Sequence, residues 1–381
     1  MNFAKIDGRL FKDIVVLQSD KKIKCFVLGN TKVDLKSLLK IKNVHILNEY
    51  LFINSFYCLL TRQQIFSLSQ EKSVLYISST STACCMMNVA KKVLNCNKQS
   101  LTGRGVTVAF IDTGIANHFD FLIGTNRIKV FKDFINDKRN CYDDNGHGTF
   151  VCGVCCGNGY ASAGKYSGIA PKSEIIALKA LDANGEANAS KILDAMQWIY
   201  DNHKKYNIKV VTMSFGSDPI GASDPIMLGA EALWDDGVVI VSAAGNSGPQ
   251  FQTIKSPGVS SKIITVGGID DNRFDSTSFS SNYFEIADFS SRGPAMKRIK
   301  PDVVAPSVDI VSCWNQKEYV SLSGTSVSAP MIAGLCTLML EKDSSLSPNQ
   351  IKKALTSISQ PLGFDKNEEG FGLPNFKNFV L

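Results

Sequence analysis

The order of apolar and polar residues divides the chain into two parts with different predicted elements. Across residues 1–100, short apolar runs alternate with amphipathic stretches in the order βαββαβ, which is typical of a small split-βαβ sandwich of the α+β class. The predicted elements are a strand at 23–28, a helix at 35–41, strands at 44–48 and 51–60, a helix at 62–68 and a strand at 74–78.

Beyond residue 100, short and fully apolar strands alternate with helices. Strands that are apolar throughout are buried on both faces, so this pattern predicts an α/β fold with a mostly parallel sheet covered by helices on both faces. The predicted strands are 106–112, 175–181, 210–214, 238–243 and 263–266, and the predicted helices are 189–203, 225–234 and 326–341.

Turn-forming residues mark the boundary between the two parts. The first hundred residues contain no proline and two of the 29 glycines, so the turn chemistry is concentrated in the remainder. The stretch 78–83 is small and polar, as a linker or a cleavable junction would be, and a helix-like segment follows at 87–94. We therefore expect two domains, residues 1–83 and residues 84–381.

Composition and charge exclude several classes of protein. The chain of 381 residues is 44% hydrophobic with a net charge of +6, and no dense block of Lys and Arg indicates nucleic acid or a membrane surface as a partner. No apolar stretch is long enough to span a bilayer, and charge interrupts any signal-peptide core at the N-terminus. The eleven cysteines form an odd set with two adjacent pairs, which favours reduced thiols and a cytoplasmic location.

Three segments combine a reactive side chain with small flanking residues. Asp112 ends an apolar strand, and ligands bind at the carboxyl ends of strands in parallel sheets. His147 lies between two glycines at the start of a predicted helix, and Ser326 begins another helix, where free backbone N–H groups favour negative charge. Pro330 fits that helix only in its first turn. Alone, Asp112 could cap a turn and Ser326 could be a helix cap.

Taken together in this chain order, the three segments resemble the subtilisin-like serine proteases, or subtilases. The resemblance covers residues 100–378 and includes the segments 293–306 and 370–374. The sequences of the segments 143–148 and 254–258 resemble those of bacterial intracellular-type subtilases.

The resemblance implies a serine endopeptidase that acts through an acyl-enzyme. Ser326 would be the nucleophile and His147 its base, while Asp112 would hold the imidazole tautomer and stabilise the imidazolium. Asn246 matches the side-chain donor of the family's oxyanion hole, with the backbone N–H of Ser326 as the second donor.

The implied substrate is a protein or peptide bound as an added strand. Lys255 lies near the segment resembling the primary specificity pocket, where it would favour acidic side chains if it points inward and would be a solvated lysine if it points outward. The cleft would be flanked by Ser214, Phe215, Gly216, Ala243, Ala244 and Gly245.

The first part resembles the inhibitory propeptide of the same family in its element order, which implies a ferredoxin-like prodomain. It would be an intramolecular inhibitor, cut by the chain itself near residues 78–84; the alternative is a permanently attached accessory domain. Residues 1–100 hold 15 Lys and Arg against 6 Asp and Glu, whereas the remaining residues hold 26 against 29. This difference favours a basic inhibitor on a slightly acidic enzyme, although residues 84–381 alone hold 29 against 29.

No cofactor is required by the implied reaction. Asp120 matches one calcium ligand of the family, but the loop 157–164 offers few oxygen ligands, so a calcium site is not supported there. Cys152, Cys155 and Cys156 superficially resemble a metal or redox motif, although buried thiols at small apolar positions explain them better.

Three other functions stay open. A catalytically silent subtilase fold acting as a regulatory or binding protein is disfavoured, because Asp112, His147, Asn246 and Ser326 are all present. A zinc or redox protein would depend on the cysteines. Acyl transfer to an amine instead of water would use the same residues as hydrolysis.

Overall fold

A computed structural model of the chain shows two compact units, residues Met1–Cys84 and Cys85–Leu381. For residues 79 and 86–89 it describes the backbone alone. Most of the expected linker, at residues 80–83, lies outside the described residues. The structure describes residues 5, 6, 10, 14, 21–30, 34–50, 54–79, 86–96, 100–272 and 284–379.

Unit 1 contains a four-stranded antiparallel sheet with the strand order β2-β3-β1-β4. Thr61 caps its second helix and forms a capping box with Gln64, so the helix start at Arg62 is fixed by local hydrogen bonds. Apolar side chains of the strands and both helices form a separate core. The elements are β1 (Lys22–Gly29), α1 (Leu35–Ile41), β2 (His45–Tyr50), β3 (Ser55–Thr61), α2 (Arg62–Ser69) and β4 (Val74–Ser79).

Unit 2 is built on an eight-stranded sheet with the order β11-β10-β9-β8-β5-β7-β6, to which β12 adds beside β10. All its pairings are parallel except that of β10 with β11. Its strands are β5 (Thr107–Asp112), β6 (Ile128–Asp133), β7 (Glu174–Lys179), β8 (Ile208–Met213), β9 (Val239–Ala243), β10 (Ile264–Asp270), β11 (Glu285–Ile286) and β12 (Val303–Pro306).

Two small hairpin pairs and eight helices complete the described part of unit 2. The pairs are β13 (Ile310–Cys313) with β14 (Tyr319–Leu322), and β15 (Ser359–Gln360) with β16 (Leu373–Pro374). The helices are α3 (Met86–Val93), α4 (Phe119–Leu122), α5 (His147–Cys156), α6 (Ala189–Asn202), α7 (Pro225–Asp235), α8 (Thr325–Lys342), α9 (Pro348–Ser357) and α10 (Lys366–Glu369).

The central strands show why the sheet has helices on both faces. Every residue of β5 and β9 is buried, and consecutive side chains of a strand point to opposite faces. Helix α8 packs against β8, β9 and β10, while α7 packs against β9. The predicted α/β fold with a mostly parallel sheet is therefore confirmed.

Helix α8 differs from the sequence prediction in one respect. It begins at Thr325, so Pro330 lies inside the helix and not in its first turn. A proline in the helix interior cannot donate the hydrogen bond to the carbonyl four residues earlier, which is that of Ser326. The expectation for Pro330 was wrong, because five residues of the helix precede it and the first turn is already complete.

The sheet order brings three strand ends together. Strands β5, β8 and β9 are neighbours and parallel, so their carboxyl ends lie at the same edge. Asp112 ends β5, the segment 214–216 follows β8, and the segment 243–245 begins at the end of β9. This edge is where a parallel sheet binds ligands.

No helix among the described residues is long and apolar enough to cross a membrane.

Candidate active site

Asp112 and His147 form a hydrogen-bonded pair at the end of β5. The Nδ1 atom of His147 lies 2.8 Å from Oδ1 of Asp112. The same Oδ1 accepts the backbone N–H of Thr113 at 2.8 Å, and the carboxylate is buried with 2% of its side chain exposed. The imidazole is 26% exposed, so it contacts both the buried carboxylate and the solvent. The Nδ1 edge of the ring is therefore fixed by Asp112, while part of the ring is accessible to solvent.

The backbone around this pair is closely packed. His147 is the first residue of α5, and a Cβ atom at Gly148 would overlap the carbonyl oxygen of Gly114. Only glycine allows the start of the helix to approach the turn after Asp112 this closely. Gly148 thus sets the separation between the start of α5 and the turn after Asp112.

Asp143 holds the same two segments together. Its Oδ1 accepts hydrogen bonds from the Thr113 hydroxyl at 2.9 Å and the Gly146 N–H at 2.7 Å. Its Oδ2 accepts the N–H of Thr149 at 2.8 Å and its hydroxyl at 2.7 Å. The Thr113 hydroxyl in turn accepts the N–H of Gly148 at 2.8 Å. One buried carboxylate therefore ties the turn after Asp112 to the first turn of α5.

Lys179 adds a second tie from the neighbouring strand β7. Its side chain is fully buried, and its Nζ donates to the carbonyl oxygens of Thr113 at 2.7 Å and Leu181 at 3.0 Å. It also pairs with Asp144 at 2.6 Å. A buried ammonium needs such partners to remain stable. Lys179 thus links the turn after Asp112 to the loop that leads into α5.

Ser326 and Asn246 belong to a second cluster. Ser326 is the second residue of α8, and the N–H and hydroxyl of the preceding Thr325 both donate to Oδ1 of Asn246 at 2.9 Å. This leaves Nδ2 of Asn246 facing the other way. A Cβ atom at Gly324 would lie 3.1 Å from that Nδ2 and 3.2 Å from Oγ of Ser326, so both atoms border the same small space.

The two clusters meet through helix packing. Helices α5 and α8, which carry His147 and Ser326, pack against each other. No hydrogen bond joins His147 to Ser326 in the described part of the chain. Catalytic hydrogen bonds are often long in ligand-free proteins and shorten when substrate binds. The structure therefore brings Asp112 to His147, and Asn246 to Ser326, as two preformed halves.

The environment of His147 changes its acidity. Burial disfavours the imidazolium, but the negative charge of Asp112 and its hydrogen bond outweigh burial. The charge of Asp143 acts in the same direction. Together they raise the pKa of His147 above its ordinary value of about 6.5.

The two segments expected to flank the cleft lie on either side of Lys255. The backbone N–H of Lys255 donates to the Ala244 carbonyl at 2.9 Å, and Ser256 and Ser217 exchange backbone hydrogen bonds at 2.9 and 3.0 Å. The stretch 255–256 therefore connects the strand end at 243–245 to the strand end at 214–216. The Lys255 ammonium pairs with Asp218, so it does not simply extend into solvent.

A cavity of about 510 Å³ lies beside one of these segments. Its walls come from the stretch 215–218, from residues 185–187 and from the starts of helices α6 and α7. Apolar side chains line much of it, including Leu181, Ile192 and Phe215. The cavity therefore presents an apolar surface beside the segment 214–216.

Asp120, the expected calcium candidate, does not fit a cation. Its side chain is fully buried, and its Oδ2 accepts the N–H of Gly159 at 2.9 Å. Its Oδ1 accepts the N–H of Ala161 at 3.0 Å and the hydroxyl of Tyr319 at 2.8 Å. Calcium requires six to eight oxygen ligands, whereas here N–H donors point at the carboxylate. N–H and O–H donors therefore occupy the Asp120 oxygens that a cation would need.

The same carboxylate belongs to a cluster of metal-ligating residue types. His118, Asp120 and Cys313 place ligand atoms within 4.8 Å of one another. The His118 Nδ1 atom, however, accepts the backbone N–H of Asp120 at 3.1 Å, and its lone pair is used there. This nitrogen is therefore not free to bind a metal.

The cysteines that resemble a metal or redox motif lie in the interior. Cys152, Cys155 and Cys156 are fully buried in α5 and belong to the core of unit 2. Ser173 donates a hydrogen bond to the sulfur of Cys156 at 3.0 Å. They fill space as small apolar side chains do, in agreement with the sequence interpretation.

The sequence analysis missed the residues that position the site. Asp143, Thr113, Thr149 and Lys179 bind the segments that carry Asp112 and His147, although none of them was predicted to have a role. The signal available was the position of Asp143 in the glycine-flanked histidine segment. A carboxylate four residues before a helix start can accept the free N–H groups of its first turn.

These observations agree with the matches to known proteins. The subtilase family, Peptidase_S8, matches residues 103–373. This range covers more than half of the chain and includes Asp112, His147, Asn246 and Ser326. The chain therefore belongs to the subtilase family of serine proteases.

Individual relatives support this assignment. The chain is 38% identical to Serine protease AprX of Bacillus subtilis over 314 residues, which are 76% of this chain and 69% of the relative. It is 28% identical to a thermostable alkaline protease of Halalkalibacterium halodurans over 349 residues, 90% of this chain and 88% of the relative.

Solved structures show the same fold. Sphericase aligns with a TM-score of 0.64 and 26% identity, covering 75% of this chain and 96% of its own. A cold-adapted subtilisin-like serine proteinase aligns with a TM-score of 0.61 and 26% identity, covering 77% of this chain and 99% of its own.

Replacing Asp143 by alanine tests its role as the tie between the two segments. The substitution leaves the buried donors of Thr113, Gly146 and Thr149 without an acceptor, so we expect the free energy of unfolding to fall by about 3 kcal/mol or more. Urea unfolding followed by tryptophan fluorescence measures it. Asp194→Ala is the matched control, because that side chain is 56% exposed on helix α6 and its loss should change stability by less than about 0.5 kcal/mol. Equal losses in the two variants would contradict the role of Asp143.

Proposed function

We propose that Asp112, His147 and Ser326 form the catalytic triad of an endopeptidase that cuts peptide bonds through an acyl-enzyme. The observation that carries the proposal is the 2.8 Å contact between Asp112 and Nδ1 of His147. It fixes the ring so that Nε2 is the atom available to take a proton. Ser326 is the second residue of α8, and α8 packs against α5, which begins with His147.

The reaction follows from these positions. His147 Nε2 removes the proton of the Ser326 hydroxyl as Oγ attacks the substrate carbonyl carbon. The imidazolium that forms is stabilised by the adjacent Asp112 carboxylate, and it then returns the proton to the leaving amine. Water next attacks the acyl-enzyme with the same histidine as base, which releases the acid product and restores the hydroxyl.

Asn246 supplies a donor for the negative oxygen that develops in both steps. Its Oδ1 is occupied by the two donors of Thr325, so its Nδ2 is held toward the space beside Ser326. The N–H of Ser326 lies in the first turn of α8, where backbone donors have no intrahelical partner. Two donors aimed at one oxygen form an oxyanion hole, and each contributes about two to three orders of magnitude in turnover.

The substrate is an unfolded stretch of protein or a peptide. Backbone groups of 214–216 and 243–245 flank the site, and an extended chain can add to them as a strand. The cavity beside Phe215 can accept an apolar side chain some residues away from the cut. Every proton and charge of the reaction is handled by side chains of this chain, so we propose that no cofactor is needed.

Substitution of Ser326 tests the nucleophile. We expect a fluorophosphonate probe to label the wild-type protein, and Ser326→Ala to lose both labelling and peptide hydrolysis, because the probe reacts only with an activated serine. Ser321→Ala is the control, since Ser321 is an exposed residue of β14. Absence of labelling in correctly folded wild-type protein would instead favour the catalytically silent alternative.

The pH dependence tests the Asp112–His147 pair. His147 must be neutral to act as a base, and its pKa is raised. The rate constant kcat/KM on an uncharged peptide should therefore fall with decreasing pH at a midpoint above about 6.5. Asp112→Asn removes the charge that raises this pKa, so the midpoint should move to lower pH and kcat should fall by about four orders of magnitude.

A second histidine–carboxylate pair provides the control for this experiment. His203 Nε2 lies 3.3 Å from Asp236, at the C-terminal ends of α6 and α7 and away from the site. Asp236→Asn should leave the pH profile as in the wild type. A midpoint that does not move in Asp112→Asn would contradict the assignment of the acid limb to His147.

Residues 1–83 are, we propose, a propeptide that assists folding and inhibits the enzyme until the chain cuts itself. Unit 1 has its own sheet and its own core, as a separable domain requires. Residues 1–83 hold 12 Lys and Arg against 6 Asp and Glu, so the segment is basic, whereas residues 84–381 hold 29 against 29. The alternative, a permanently attached accessory domain, predicts no cut.

Mass spectrometry of the purified chain distinguishes the two alternatives. The wild-type protein should lose its N-terminal segment with a new terminus near residues 78–84, whereas Ser326→Ala should keep all 381 residues. The reason is that the cut requires the nucleophile. If the wild-type protein and Ser326→Ala both stay intact, the accessory domain is supported. If both are cut at the same place, another protease makes the cut.

The expected cytoplasmic location stays a proposal. Its support is chemical, because the nine cysteines described in the structure are all free thiols. Crowded free thiols, such as the three of α5, persist where the surroundings are reducing.

A further inference from the structure

The side chain of Lys255 occupies the gap between the two segments that flank the site. A Cβ atom at Gly216 would lie 2.6 Å from Cβ of Lys255, and one at Gly245 would lie 2.6 Å from its Cγ. The first methylenes of the lysine therefore contact the backbone of both segments at once. Any larger residue at either glycine would collide with them.

Backbone hydrogen bonds fix the direction of this side chain. The N–H of Lys255 is bonded to Ala244 on one side, and the next residue pairs with Ser217 on the other. With the main chain held at both ends, the Cα–Cβ bond of Lys255 points between the segments. The contacts of the side chain with Gly216 and Gly245 follow from this direction.

The gap adjoins the reacting atoms. The N–H of Gly245 donates to the hydroxyl of Thr325 at 3.1 Å, and Thr325 immediately precedes Ser326. The residue after Gly245 is Asn246, whose Nδ2 faces the space beside the Ser326 hydroxyl. A substrate whose carbonyl oxygen lies at that Nδ2 would therefore place the side chain of the same residue near Lys255.

The charge at the end of Lys255 is only partly satisfied. Its ammonium pairs with Asp218, whose side chain is 86% exposed, while the lysine side chain is 26% exposed. The hydrogen bond from Lys255 and its positive charge lower the pKa of the Asp218 carboxyl, in agreement with this contact. Exposed ion pairs are weak and exchange readily with other partners, and an ammonium has three N–H donors.

We propose that Lys255 is a specificity-determining residue and that the cleft prefers substrates with an acidic side chain on the residue whose carbonyl is attacked. This inference rests on the proposed endopeptidase function. Asp218 acts as an internal competitor, because it holds the ammonium until a substrate carboxylate replaces it. The stem of Lys255 narrows the gap, which disfavours bulky aromatic side chains at the same position.

The test uses peptides that are identical except for Glu, Gln or Lys at that position. For the wild-type protein, kcat/KM should be about tenfold higher for Glu than for Gln, since a charge-assisted hydrogen bond replaces a neutral one. Lys255→Met should reduce this ratio to about one. Asp218→Asn should raise it, because the competitor is removed, so the two variants move the ratio in opposite directions.

Lys262→Met is the matched control, because Lys262 forms a comparable surface pair with Asp235 away from the cleft; its Glu-to-Gln ratio should equal that of the wild type. An unchanged ratio in Lys255→Met would overturn the role of Lys255 while leaving the endopeptidase intact. Failure of the wild-type protein both to cut any of the peptides and to react with the fluorophosphonate probe would overturn the proposed function itself.

Discussion

The Asp143 carboxylate is the contact on which the geometry of the site depends. It accepts hydrogen bonds from the turn after Asp112 and from the first turn of the His147 helix. Both segments are backbone structures with little freedom, since Gly148 already touches the carbonyl of Gly114. The distance between Asp112 and His147 is therefore set by main-chain packing around one buried charge and much less by side-chain rotamers. Preorganisation of this kind avoids an entropic cost when the reaction begins.

The serine half is organised in a different way. Asn246 follows β9 and binds Thr325 through one oxygen, which joins the proposed oxyanion donor to the start of the helix that carries Ser326. Each half is rigid by itself, and the two are related through the packing of α5 against α8. The four proposed site residues thus come from separate stretches of chain: Asp112 and Asn246 from strand ends, His147 and Ser326 from helix starts. The same strand ends provide the walls that contact Lys255.

Much of this fold could be predicted from the sequence because the central strands are apolar throughout. Strands β5, β8 and β9 were predicted to within two residues at each end, and the glycine-flanked motifs identified the candidate residues. Strand β6 was missed, since it lies at the edge of the sheet and alternates partly exposed residues. The tie through Asp143 could be predicted only in part. Its bonds to Gly146 and Thr149 are local, whereas Thr113 lies 30 residues away along the chain and meets it only after folding. The direction of Lys255 depends likewise on backbone hydrogen bonds to both neighbours.

Pro330 has a consequence for the helix that carries Ser326. Without an N–H group at this position, the turn that follows Ser326 lacks one of the bonds that hold a regular helix together. Buried residues lie on both sides of the proline, from Val327 to Ala329 and from Met331 to Leu340. The proposed nucleophile is therefore held in place by the packing of these side chains, and backbone hydrogen bonds contribute less at this end than in the rest of the helix.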